Sequence, residues 1–319
     1  MADTGLRLIF GDAHLGVSGD GFEYLFSYGN GGLESLSRNG KEWLFRVPQP
    51  ALWRALTDND RGNGFHRRSG IWLSADAFPV PKGCTVWRDG EEIPLPIPPE
   101  NNRYSENETA SGIKLCFGFE TIISPSPKIF ISYTVSADGS ILINARYEGA
   151  KGLPELPVFG VRFIMPTPAA ACEYEGLSGE TYPDRMAGGI KGTYAITDFT
   201  PEKYLKVQEY GMHMETERVK ITRNRTLNNA DPRPDEEFSL VFSREDEPFA
   251  FTCIPYTPEE LESATHPEEL PLPRRTVFTV YGAVRGVGGI DSWGADVSEP
   301  YHVSGEGEIG FSFRILPQE

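Results

Sequence analysis

The sequence predicts an all-β fold, a large antiparallel sandwich with very little helix. Apolar residues recur at every second position over long stretches, turn-forming residues separate those stretches, and a single window carries strong helix-starting signals. Ile113, Leu115, Phe117 and Phe119 alternate with Lys114, Cys116, Gly118 and Glu120, the period of a strand with one face on a core. Ile129, Ile131, Tyr133 and Val135 repeat the pattern. Asp138-Gly139 then supplies a tight turn before Ile141, Ile143, Ala145 and Tyr147, so a hairpin is expected. Ile309, Phe311, Phe313 and Ile315 form the last alternating run, expected to close the fold. The helical window is Thr257-Pro258-Glu259-Glu260-Leu261, where Thr caps, Pro fits the first turn and the two Glu complement the helix dipole.

Composition bounds the function. With 319 residues, 39% of them hydrophobic, the chain can bury a sizeable core and is not disordered. No repeat or low-complexity hinge divides it, so residues 1–319 are expected to form a single sandwich domain. The net charge of −16 argues against a nucleic-acid partner, whose phosphates would be repelled. No run of about 18 apolar residues occurs, so no membrane span is expected, and Met1 to Gly11 lack the pattern of a secretory leader. Cys84, Cys116, Cys172 and Cys253 show no CxxC or Cys/His spacing. Neither a metal site nor a disulfide framework is expected, and the chain reads as cytoplasmic with reduced thiols.

Three constellations carry candidate chemistry. Gly288-Gly289-Ile290-Asp291-Ser292-Trp293 puts an indole just after a side-chain-poor turn. It reads either as a platform for the apolar face of a pyranose or as a core residue at a loop end. Trp53-Arg54 leads into Thr57-Asp58-Asn59-Asp60-Arg61-Gly62, a loop that binds sugar hydroxyls or braces its own backbone. An EF-hand is not expected there, because Phe65, His66, Arg67 and Arg68 follow in place of the required downstream Glu. In Glu180-Thr181-Tyr182-Pro183-Asp184-Arg185 the last two residues read as a bidentate pair fixing a loop, and Glu180 and Tyr182 as groups able to reach a ligand.

Taken in order, Trp53-Arg54 with Asp58-Asn59-Asp60 and Gly62, Tyr182-Pro183-Asp184-Arg185, Gln208-Glu209 with Gly211, Tyr256 with Leu261, His266 and Leu270, and Gly288-Gly289 with Asp291-Ser292-Trp293 resemble the C-terminal β-domain of glycoside hydrolase family two β-galactosidases, specifically the small subunit of two-chain enzymes. The resemblance implies a galactose-mutarotase-like supersandwich. It also implies a heterodimeric partnership with a large catalytic chain that supplies two glutamates on a (β/α)₈ barrel, and a magnesium ion, for retaining hydrolysis of galactosides such as lactose. Nothing in this chain resembles that barrel, so no catalytic residue and no cofactor is expected in it. Trp293, with Asp291 and Ser292, is implied to contact the sugar; Asp58, Asn59, Asp60 and Gly62 are implied to form a loop beside the active site. Two other functions remain open from the residues: a stand-alone carbohydrate-binding module and an aldose mutarotase-like epimerase. The epimerase needs a carboxylate base and His acids in one cleft, whereas His14, His66, His213, His266 and His302 are scattered.

Overall fold

The computed structural model describes residues 5–98, 105, 107–201, 203–233 and 235–317. Residues 1–4 of the segment read above for a leader, and the ends of the expected domain, lie outside them. The described strands form three antiparallel sheets of six, ten and five strands.

The alternating runs become strands where expected. Gly112–Glu120 buries Ile113, Leu115, Phe117 and Phe119 and turns the intervening side chains outward. It pairs in register with Lys128–Ser136, Phe117 opposite Ile131. The predicted hairpin joins Lys128–Ser136 to Ile141–Glu148. At its turn Gly139 takes φ +79°, a conformation that favours glycine, and the Asp138 carboxylate accepts from the Ser140 N–H. The last strand, Glu308–Ile315, lies inside the ten-stranded sheet between Ile141–Glu148 and Phe238–Arg244. A strand placed there is held by ladders on both sides.

One face of the ten-stranded sheet serves two partners. Tyr133, packed against its neighbour Phe117, meets Phe26 of the six-stranded sheet. Phe242 and Phe313 meet Phe163 and Phe278 of the five-stranded sheet, the Phe242 and Phe278 centroids 4.5 Å apart. One hydrophobic cluster therefore runs from Leu6 to Ile315. Stacked sheets whose inner faces interdigitate in this way make a sandwich.

The expected helix forms over Pro258–Ser263 with a full capping box between Thr257 and Glu260. Three further short helices form, Asp58–Gly62, Phe65–Ser69 and Ile71–Ala77, the first on ground read from the sequence as loop. The first has the same signature: Thr57 accepts from the Asp60 N–H, and the Asp60 side chain accepts from the Thr57 N–H. Phe65 and Trp72 drop from these helices into the core, and the Trp72 indole N–H donates to the Glu155 carbonyl at 2.9 Å.

Candidate functional site

Segments far apart in sequence converge where the chain leaves the strand Thr276–Val284. Arg285 lies fully buried there, and from Gly286 the chain runs outward into an arm that returns at Val297. Gly288, Gly289 and Gly294 take φ of +69°, +76° and +85°, which lets the arm turn back tightly. The arm rests on the helix Asp58–Gly62. A Cβ at Gly294 would lie 2.9 Å from the Gly62 carbonyl oxygen, and one at Gly289 would lie 2.5 Å from the Asn59 amide nitrogen. Two constellations that the sequence presents separately are thus halves of one assembly.

Beneath the arm sits a buried ionic group. Arg54 donates to Asp60 at 2.7 Å, Arg285 reaches the other Asp60 oxygen at 3.4 Å, and all three side chains are inaccessible. Burial alone would push the Asp60 carboxyl up; the Arg54 charge and hydrogen bonds from Arg54 and Thr57 hold it below the usual carboxylate range. Arg285 also donates through Nε to Glu155 at 3.0 Å and through Nη2 to Asp296, while its guanidinium lies 4.2 Å from the Phe65 ring centre. His302 contacts Glu155 with one ring nitrogen and the Val297 carbonyl with the other.

The side of the loop read from the sequence is therefore corrected for one residue. Asp60 is a buried counter-ion, unavailable to a sugar, because it sits at N3 of a helix whose inner face lies against two arginines. Asp58 and Asn59 face solvent, as does Gly62. The Asp184–Arg185 pair is corrected as well. The two charged groups stand 3.9 Å apart and each serves the arm instead: Asp184 accepts from the Val287 and Gly288 N–H groups at 3.0 and 2.8 Å, and Arg185 donates to the Gly288 carbonyl. Glu180 accepts from the Gly211 N–H, and Tyr182 packs against the cluster of Ala51, Met212 and Tyr281.

Gln208 and Glu209 close the assembly from below. Gln208 accepts from the Asp58 N–H and Glu209 from the Ala55 N–H. Burial pushes the Glu209 carboxyl up to about 8, against the nearby Arg54 charge.

At the tip, Trp293 is 90% exposed. The core alternative for this ring is therefore excluded. Asp291 and Ser292 are exposed beside it, and one Asp291 oxygen accepts from the Trp293 and Ala295 N–H groups at 2.9 and 3.1 Å. Arg285, Asp296, Arg68 and Glu155 gave no sequence signal, since the ion pairs Arg285–Asp60, Arg285–Glu155, Arg68–Asp296 and His302–Glu155 each join segments more than a hundred residues apart. The Thr57-x-x-Asp60 capping pattern was the signal that would have revealed the helix.

Four of the five histidines have separate partners. His14 contacts Glu34, His266 contacts Glu269, His302 belongs to the group below the arm, and His213 is buried against Phe251 and Tyr174. Among the described residues no group of three or more His, Cys, Asp or Glu side chains is arranged to hold a metal ion, the four cysteines are free, and no helix is long and apolar enough to cross a membrane.

Fold and site together define an all-β sandwich that holds one aromatic side chain clear of its own surface on a braced arm. The profile of the β-galactosidase small chain matches residues 18–315. The chain is 54% identical over 317 residues to the β-galactosidase small subunit of Latilactobacillus sakei, with 99% of each covered. This protein belongs to the β-galactosidase small chain family. It is also 33% identical over 315 residues to a β-galactosidase of Halalkalibacterium halodurans, covering 97% of this chain and 28% of that longer one. Among solved structures, a galactose mutarotase-like protein from Lactobacillus casei covers 95% of this chain at 9% identity, with a TM-score of 0.40.

Proposed function

We propose that this chain is the non-catalytic small subunit of a two-chain β-galactosidase, and that it lends Trp293 to the galactoside site of a large catalytic chain. The observation that carries the reading is an indole 90% exposed on an arm braced at both ends. A ring of that size left in water costs free energy unless another surface covers it. Family membership points to that surface, since the longer β-galactosidase relative contains a region like this chain as about a quarter of its length.

The nucleophile, the acid/base and the magnesium ion are assigned to the large chain; that metal would assist the hydrolysis when bound there. This chain's residues bind and orient. The Trp293 face covers the apolar C–H face of a pyranose and excludes water from it, while the exposed Asp291 and Ser292 flank the ring. Asn59 and Gly62 lie beneath the arm, and Asp58 is exposed on the same short helix. The substrates are terminal β-D-galactosides such as lactose, and the complex is cytoplasmic, consistent with four free cysteines.

The test is hydrolysis of 2-nitrophenyl β-D-galactoside by the purified chain, by its large chain, and by the mixture. Turnover is expected only in the mixture, together with a stoichiometric complex on size exclusion. Galactosidase activity in the rigorously purified chain alone would overturn the reading.

A further inference from the structure

The Trp293 ring extends into solvent, yet the backbone that carries it is fixed at three points by carboxylates. At the outgoing foot Asp184 uses both oxygens, one for the Val287 N–H at 3.0 Å and one for the Gly288 N–H at 2.8 Å. At the tip a single Asp291 oxygen takes the N–H groups of Trp293 and Ala295. At the returning foot one Asp296 oxygen accepts from the Val297 N–H at 2.8 Å, from Asn63 at 3.2 Å and from Arg285, and the other accepts from Arg68 at 2.5 Å. Arg285, at the root of the arm, joins that returning foot to Asp60 and Glu155 below.

A free segment with three left-handed glycines would sample many conformations, and binding through Trp293 would have to offset that lost entropy. Hydrogen bonds made before binding remove the cost, because the backbone is already ordered when the ligand arrives.

We propose that Asp184, Asp291 and Asp296 are positioning residues that preset the Trp293 ring for the sugar, acting through the arm's backbone without touching the substrate. The proposal rests on the reading of Trp293 as a sugar platform. It reassigns Asp291, whose bonding oxygen is already committed to the turn.

The test uses this chain reconstituted with its large chain and assayed on 2-nitrophenyl β-D-galactoside. Asp184→Asn, Asp291→Ala and Asp296→Ala are each made with Trp293 present and on a Trp293→Ala background. With the ring present each is expected to raise KM about two- to tenfold while leaving kcat within about twofold, the scale of ordering one interface side chain. On the Trp293→Ala background the same changes should leave KM unmoved, since there is no ring left to position. Asp291→Asn keeps the bonding oxygen and should restore the wild-type KM. In the small chain alone, the fluorescence anisotropy of Trp293, taken as the difference from Trp293→Ala, should show more fast local motion in the variants other than Asp291→Asn. If Trp293→Ala raises KM but the aspartate variants do not, or if they raise it equally on both backgrounds, the positioning role is overturned and the platform stands. An unchanged KM in Trp293→Ala overturns both.

Discussion

Trp53 and Trp293 both stand out in the sequence by their neighbours, and the fold treats them in opposite ways. Trp53 is 1% exposed and lies parallel to Phe65 with the ring centroids 6.4 Å apart; Trp293 is 90% exposed. The same division separates Asp58 from Asp60, two residues apart on one short helix. Asp58 faces water with Arg61 at 3.4 Å, and Asp60 is shut in with Arg54 and Arg285. The comparison shows a buried base that is ionic and rigid, and an exposed arm above it that owes its shape to that base. Side-chain chemistry marked Trp293, Asp58 and Asp60 as candidates, and only their side of the helix or arm divides them into scaffold and contact.

Removing the base should have the largest effect. Asp60→Ala leaves two buried guanidinium groups facing one another without their shared carboxylate, and stability is expected to fall by about 5 kcal/mol, with loss of soluble chain. Chemical denaturation checks this. A soluble variant within 1 kcal/mol of wild type, as an order-of-magnitude threshold of about one net hydrogen bond, would show that the base is dispensable. Trp53→Ala follows, at about 3–5 kcal/mol, the cost of emptying a large buried aromatic site.

Trp293→Ala sharpens the contrast by inverting it. Stability should change by less than about 0.5 kcal/mol, as for exposed positions, while binding of galactoside in the reconstituted enzyme weakens by about 1–3 kcal/mol, read as a raised KM. A large drop in melting temperature with unchanged KM would place Trp293 with Trp53.

A pH series tests the base more gently. Burial raises the Glu209 carboxyl from an ordinary 4.5 to about 8, so between those values the folded chain holds a proton that the unfolded chain has released. Stability attributable to Glu209 is therefore present at low pH and lost as pH rises through that window. His213, which burial holds down to about 4 from 6.5, acts with the opposite sign but only below 6.5. Between pH 6.5 and 8 the Glu209→Gln variant, which keeps an acceptor for the Ala55 N–H, should melt with a flatter pH dependence than wild type. Parallel melting curves across that range would show that Glu209 is ionised in the native state. The smallest effect is expected for Asp58→Ala: less than about 0.5 kcal/mol, because its ion pair is solvated.

The sequence alone determined the fold class, the central hairpin, the last strand and the Thr257 helix. Each rests on information local in the chain: the two-residue period of a half-buried strand, the Asp-Gly turn and the cap three residues before its Glu. It also marked Trp293 as a candidate platform. Tertiary structure decided which face each candidate turned to. Asp60 became a counter-ion because Arg285, 225 positions later in the chain, lies beside it. Asp184 and Arg185 came to brace the arm because their strongest partners, the Val287 and Gly288 backbone, lie about a hundred residues downstream. Hydrogen bonds and burial act over a few ångströms of space, and no local pattern encodes which distant segments will share that space.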